Sequence, residues 1–246
     1  MGQKVMPTGF RVGIYGEHKG WISRWYAPKA EYARLLREDQ LIRKHLKTKH
    51  GRQGAISSIE IERVPTSSGS PGEARKYRVN VYVNTGRPGV LIGRKGANLQ
   101  ILEKALQKLT GQQINLQVKE IAKPELEAVL LAESAAEQLA KRASFRRTMR
   151  NVLRQAKEMG ALGCRIRLAG RLGGAEMART EVQSFGSIPL QTLTADVNYG
   201  TAIARTTYGV IGVKVWVYRG TLKGAPANLT KRSAASSAML PQGGED

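Results

Sequence analysis

Tyr77, Val79, Val81 and Val83 alternate with Arg78, Asn80 and Tyr82, the two-residue period of a half-buried β-strand. A short apolar stretch, Gly89-Val90-Leu91-Ile92, is followed by Gly93-Arg94-Lys95-Gly96. Leu99, Leu102, Ala105, Leu106 and Leu109 then recur at helical spacing and share one face. Ile114, Leu116 and Val118 alternate again and close this unit as a second strand. Upstream, Tyr32, Leu35, Leu36, Ile42 and Leu46 mark a helical stretch over 28–48, opened by Pro28 at a first-turn position. Asp39 interrupts its apolar side, so the stretch reads as one kinked helix or as two, with Asp39 capping the second. Ile56, Ile59, Ile61 and Val64 mark another strand, and residues 66–74 form a loop rich in Ser, Gly and Pro. The predicted order is helix, strand, strand, apolar turn, Gly-x-x-Gly, helix, strand.

From Pro124 the period turns helical, with Leu126, Val129, Leu130, Ala136, Leu139 and Ala140 on one side and glutamates among the polar positions. Then the sign reverses: Lys141, Arg142, Arg146, Arg147, Arg150 and Arg154 follow with no acid between them. Ser144 stands where a second helix would be capped. At about 100° per residue, Phe145, Met149, Val152, Leu153 and Ala156 point one way, and Arg146, Arg147, Arg150, Arg154 and Lys157 the other. Cys164, Ile166 and Leu168 alternate with Arg165 and Arg167 as a strand. Residues 170–181 read as a glycine turn and a short helix carrying Glu176, Arg179 and Glu181. Residues 190–205 and 208–219 complete a sheet, with Val213, Val215 and Val217 on one side and Lys214, Trp216 and Tyr218 on the other. The chain thus divides into an arm (1–27), a first domain (28–121), a second α/β domain (122–219), and a tail (220–246) whose Ala, Ser, Gly and Pro content predicts disorder.

Charge narrows the function. Forty Lys and Arg face nineteen Asp and Glu, a net charge of +21. A protein this basic repels itself unless something anionic neutralises it, and nucleic acid is the usual partner. The excess is spread out: +7 over residues 1–50 and +6 over 51–120. Such a spread suits a large polyanion touched on several sides. No apolar run approaches the ~18 residues of a membrane span, and the N-terminal stretch holds no signal-peptide core. Cys164 is the single cysteine, which excludes an internal disulfide or a multi-cysteine zinc site and fits a reducing compartment. His45 and His50 are five apart with no carboxylate cluster, and read as solvated basic-face residues rather than metal ligands. No phosphate-binding Gly-x-x-x-x-Gly-Lys-Ser/Thr is present, and the aspartates Asp39, Asp196 and Asp246 are far apart, so neither an NTP-driven motor nor a two-metal nuclease is indicated. No cofactor is expected.

Two stretches carry the candidate chemistry. Glycines at 93 and 96 let the backbone bend tightly and approach a partner. Arg94 and Lys95 lie at the mouth of the helix that follows, where free N–H groups and the helix dipole favour a phosphate. Gly-x-x-Gly alone is a weak signal, but only this copy has an apolar strand before it, two cations inside and a helix after. In that context it resembles the type II KH fold, whose loop clamps nucleic-acid backbone. On the basic helix, Arg146/Arg150 and Arg150/Arg154 are like-charge i,i+4 pairs that repel each other, and an anionic partner explains them more simply than a solvated face does. In the arm, Lys4, Arg11 and Arg24 alternate with Phe10, Trp21, Trp25 and Tyr26, a mixture that suits RNA, although Trp25 and Tyr26 suit packing on the first domain better.

Five motifs, in order, identify a family: Met1-Gly-Gln-Lys-Val, Arg87-Pro-Gly-Val-Leu-Ile-Gly-Arg-Lys-Gly, Phe145-Arg-Arg-Thr-Met-Arg, Gly170-Arg-Leu-Gly-Gly-Ala-Glu-Met-Ala-Arg-Thr-Glu and Thr207-Tyr-Gly-Val-Ile-Gly-Val-Lys-Val-Trp. Over about residues 1–220 the chain resembles bacterial small-subunit ribosomal protein number three. The resemblance implies a two-domain α+β protein: a type II KH domain with a three-stranded sheet and helices, then an α/β domain with a mixed, mainly antiparallel sheet. It implies a cytoplasmic, non-catalytic place in the head of the small subunit, on small-subunit rRNA and beside the ribosomal proteins numbered ten and fourteen. It further implies a share, with those numbered four and five, in lining the channel through which mRNA enters. On that resemblance Arg146, Arg147 and Arg150 face incoming mRNA and assist its unwinding, and the arm and residues 170–181, with Arg171 and Arg179, lie against rRNA. Two other functions remain open: a free KH-type RNA-binding regulator, and a lyase acting on abasic sites through a lysine Schiff base.

Overall fold

The computed structural model describes residues 4–12, 14, 21–65 and 77–221. In chain order these form α1 (Pro7–Phe10), β1 (Ser23–Arg24), α2 (Lys29–Gly54), β2 (Ile56–Pro65), β3 (Tyr77–Thr85), α3 (Pro88–Ile92), α4 (Ala97–Thr110), β4 (Gln113–Glu120), α5 (Ala128–Ala140), α6 (Phe145–Glu158), β5 (Gly163–Gly170), β6 (Arg179–Gly186), β7 (Ala195–Thr206) and β8 (Gly209–Thr221). They gather into two compact units. One is Trp21–Ser134; the other joins residues at the start of the chain to those from Ala135 onward. The 66–74 loop and the tail from residue 222 lie outside the described residues.

The first unit has the predicted order, with its apolar turn wound into α3 behind Pro88. β2 and β3 run antiparallel and β3 and β4 parallel, so the three strands of the KH pattern form one sheet. A fourth strand, the two-residue β1, pairs parallel with β2 at the edge. Ile42 and Leu46 of α2, Leu102 and Leu106 of α4, and the inward residues Ile59, Ile61, Val79, Val81, Val83, Ile114 and Leu116 make its core.

Three expectations are corrected here. Residues 29–54 form one helix, and Asp39 is a buried interior residue rather than a cap. The reason lies on the sheet that this helix packs against, where Arg63, not Val64, occupies the inward position after Ile59 and Ile61. Its guanidinium donates to Asp39 Oδ1 from Nη2 at 2.6 Å and from Nε at 3.0 Å, and to Glu38 Oε2 at 2.8 Å. A carboxylate so paired stays inside a helix without unwinding it. Trp25 Nε1 donates to Asp39 Oδ2 at 2.8 Å and its ring packs on Tyr32, while Tyr26 is 89% exposed. His45 and His50 are half-buried rather than solvated, with His45 Nε2 and His50 Nδ1 unbonded, and burial, ahead of nearby Lys49 and His50, lowers the His45 pKa.

In the second unit the strands lie in the order β6-β5-β8-β7, every neighbouring pair antiparallel. α6 packs on β5 and β6, with Met149, Val152 and Ala156 buried, as are Cys164, Ile166 and Leu168 of β5. The short helix predicted within 170–181 is absent. Gly173 and Gly174, at φ 68° and 81°, end a single turn of 3-10 helix, and Arg179 to Gly186 then pair with β5 as an edge strand. β7 begins at Ala195 rather than 190, because the carbonyls of Pro189, Leu190 and Thr192 point at Arg11 instead of joining a ladder.

Candidate nucleic-acid interface

α6 is the most polarised helix among the described residues. Its buried side holds Thr148, Met149, Val152 and Ala156, and the opposite side exposes Arg146, Arg147, Arg150, Arg154 and Lys157. Thr148 sits among arginines in sequence but faces inward, and both its N–H (3.0 Å) and its Oγ1 (3.1 Å) donate to the Ser144 carbonyl. Ser144 is the N-cap residue, yet its side chain makes no capping bond. Arg154 reaches Glu158 at 3.8 Å; among the described residues Arg146, Arg147 and Arg150 enter no salt bridge. The helix therefore presents three adjacent guanidinium groups with donors free for an anion.

Phe145 ties this helix to β6. The Arg146 guanidinium centre lies 5.7 Å and that of Arg179 5.4 Å from its ring centroid. Arg179 also meets Glu181 at 3.4 Å. The aromatic ring thus gathers two arginines that lie 33 positions apart in sequence. Arg171 is held differently: its Nε donates to Ala175 O (2.9 Å) and its Nη1 to Tyr208 O (3.1 Å), so it braces the glycine turn against the β7–β8 hairpin.

In the first unit the Gly-x-x-Gly segment has the backbone its sequence demands. Gly93 has φ 69° and ψ −172°, and Gly96 is left-handed at φ 77°. Arg94 to Gly96 make one 3-10 turn, and α4 starts at Ala97 with no side-chain cap and no acid in its first turn. Asn98 Nδ2 donates to Val90 O at 3.3 Å and closes the turn from below. Arg94 is exposed; the side chain of Lys95 lies outside the described residues. The result is an uncapped helix N-terminus beside an exposed cation, which can accept a phosphate.

The arm cations do not form one group. Lys4 is exposed. Arg24 is ion-paired to Glu60 at 3.3 Å and Glu62 at 3.1 Å. Arg11 is fully buried, donating from Nη1 to Pro7 O, from Nη2 to Pro189 O, Leu190 O and Thr192 O, and from Nε to Thr192 O. That fate is invisible in the sequence, because the carbonyls it meets lie about 180 residues away. The sequence also passed over Phe145 as a ring shared by two cations; an aromatic beside a basic run is the only local hint.

Two family models match the chain. One, described as a KH domain, covers residues 41–126, and one for the C-terminal domain of ribosomal protein S3 covers residues 135–217. A relative from Rhodopirellula baltica is 49% identical over 221 residues, 90% of this chain and 89% of its own. One from Pelotomaculum thermopropionicum is 47% identical over the full length of both chains. One from Geobacter sulfurreducens is 49% identical over 220 residues, 89% of this chain and 97% of its own. All three are named small ribosomal subunit protein uS3. With KH and S3 models matching in sequence order and nearly half the positions identical in each of these relatives, the chain belongs to the ribosomal protein S3 family.

Proposed function

We propose that this chain is a non-catalytic constituent of the small ribosomal subunit in the cytoplasm, where it binds small-subunit rRNA in the head and lines the channel through which mRNA enters. The observation that carries the reading is α6: Arg146, Arg147 and Arg150 stand exposed, in no salt bridge among the described residues, on a helix whose other side is buried. Like charges at this spacing cost a few tenths of a kcal/mol per pair, which an RNA strand offsets by supplying phosphates. In this role the three arginines hold the incoming strand and favour its single-stranded form. The turn at Gly93, Arg94, Lys95 and Gly96 holds backbone phosphates, and Lys4, Arg24, Arg171 and Arg179 border rRNA. Arg11 serves by fixing residues 189–192, not by touching RNA. The ribosomal proteins numbered ten and fourteen are its neighbours in the head, and those numbered four and five share the mRNA channel.

The test is Arg146→Ala with Arg147→Ala and Arg150→Ala. All three side chains are exposed, so the chain should fold and enter small subunits normally. Translation of messages with stable hairpins should slow several-fold while unstructured messages are read at the normal rate. Equal speed on both messages would remove the mRNA role. Release of the unmodified chain from the small subunit at modest salt would remove the constituent role.

A further inference from the structure

The second unit has a face that α6 does not cover. Along β5, Cys164, Ile166 and Leu168 are buried, so Arg165 and Arg167 project to the other side of the sheet and are exposed. The register brings partners to them. Arg165 lies opposite Trp216 of β8, which lies opposite Tyr199 of β7. One step along, Arg167 lies opposite Lys214, which is also exposed. The rings of Tyr199 and Trp216 are 5.3 Å apart and tilted 42°, and the Arg165 guanidinium centre is 5.9 Å from the Trp216 centroid. On this side β5, β6, the stretch of β8 from Gly212 to Tyr218 and that of β7 from Tyr199 to Arg205 bring no carboxylate. The sheet of the first unit is different, since Glu60 and Glu62 lie on its outer side against Arg24.

We propose that this open sheet face is a second RNA-binding surface of the unit, separate from α6, on which one base stacks beside Trp216 and Tyr199 while Arg165, Arg167 and Lys214 hold the flanking phosphates. Charge complementarity selects the occupant. Three cations with no acid among them need a polyanion, and neighbouring strands about 4.8 Å apart put them within reach of one backbone. The ring pair separates RNA from an acidic protein segment: a base offers a π-face to stack on it, and a carboxylate side chain does not. The inference rests on the RNA-binding reading above but on neither of its sites.

Full-length chain is titrated with a short oligouridylate, and the change in Trp fluorescence is compared between the unmodified protein and Trp216→Phe. Quenching that Trp216→Phe reduces is expected, because Trp216 is the one of the three tryptophans that lies in the second unit. A Trp216 signal unchanged at saturating RNA overturns the proposal, and so does equal quenching by a polyglutamate peptide at the same salt. Independently, Arg165→Gln with Arg167→Gln and Lys214→Gln should weaken binding, and flatten the slope of log affinity against log salt by about 2, at roughly 0.7 per phosphate contact on single strands. If the α6 triple variant weakens binding and the sheet variant leaves affinity and slope unchanged, only this inference fails. If the unmodified chain does not bind RNA at all, the RNA-binding reading fails with it.

Discussion

Arg63 shows how one side chain sets the local architecture. It occupies a strand position that alternation reserves for an apolar residue, and it is buried there between Glu38 and Asp39 of α2. Asp39 in turn accepts from Trp25, so the segment entering the first unit is fastened through the same carboxylate. Removing the cation leaves two acids facing a dry interior. Arg63→Ala should therefore cost about 3–5 kcal/mol in urea unfolding of the full chain. Arg63→Met combined with Asp39→Leu should recover part of that, because the Asp39 charge leaves with its partner while Glu38 keeps only Arg34, at 3.8 Å. A single-variant loss below about 1 kcal/mol would show the network to be wetter than its geometry. None of this was legible in the sequence. Periodicity marks a polar residue at an apolar position as a break, and only the fold supplies the partner, on the helix packed over that face. Cys164 is simpler, and its inward alternation was legible. Burial pushes its thiol pKa up to about 12 from an ordinary 9. The raised folded value leaves this contribution to stability intact below pH 9 and erodes it as pH rises from about 9 to about 12. Cys164→Ala should lose less stability than the unmodified chain across that window, and the folded thiol should resist iodoacetamide at pH 8 until urea exposes it.

At the scale of elements, the two basic segments were legible and their supports were not. The Gly-x-x-Gly context predicted strand, turn and helix, and the structure adds what makes each glycine necessary. A Cβ on Gly93 would stand 2.6 Å from the Asn98 side chain that closes the turn, whereas one on Gly96 would meet open space. Gly96→Ala should thus carry only the backbone penalty of a left-handed residue, about 1 kcal/mol. Gly93→Ala should cost about 3 kcal/mol, because strain and collision combine. Thermal unfolding of the two variants side by side checks the ranking, and faster amide exchange at Val90 to Asn98 in Gly93→Ala alone would locate its cause. Equal losses would mean that Asn98 swings away freely. α6 displayed its two faces to a 100° period, and Thr148 resolves as an inward residue sharing the Ser144 carbonyl. β6 was misread because its first residues, Arg179-Thr180-Glu181, are all polar and show no apolar alternation to mark a strand. The glycine pair before them and the open ladder of β5 decided for a strand.

For the molecule as a whole, the motif order identified the family and the KH pattern, but not how the chain is partitioned. Residues from its beginning belong with those after 135, and the link is Arg11, whose donors meet carbonyls about 180 residues away. A contact of that span leaves no local pattern to read. The spread of +21 over every segment was legible, and it carries a consequence for binding. Each phosphate neutralised releases counterions, so the salt slope measures how many cations touch the strand. Arg94→Glu with Lys95→Glu alters the turn before α4 while leaving α6 and the open sheet face intact. Its slope on a single-stranded oligonucleotide should flatten by about 1.4, at roughly 0.7 for each contact removed. Affinity should fall further than the lost contacts alone imply, because two new carboxylates then repel the backbone. A fall in affinity with no change of slope would mean that the new acids repel RNA from a distance, and that the turn at Gly93–Gly96 shapes the unit without holding a phosphate.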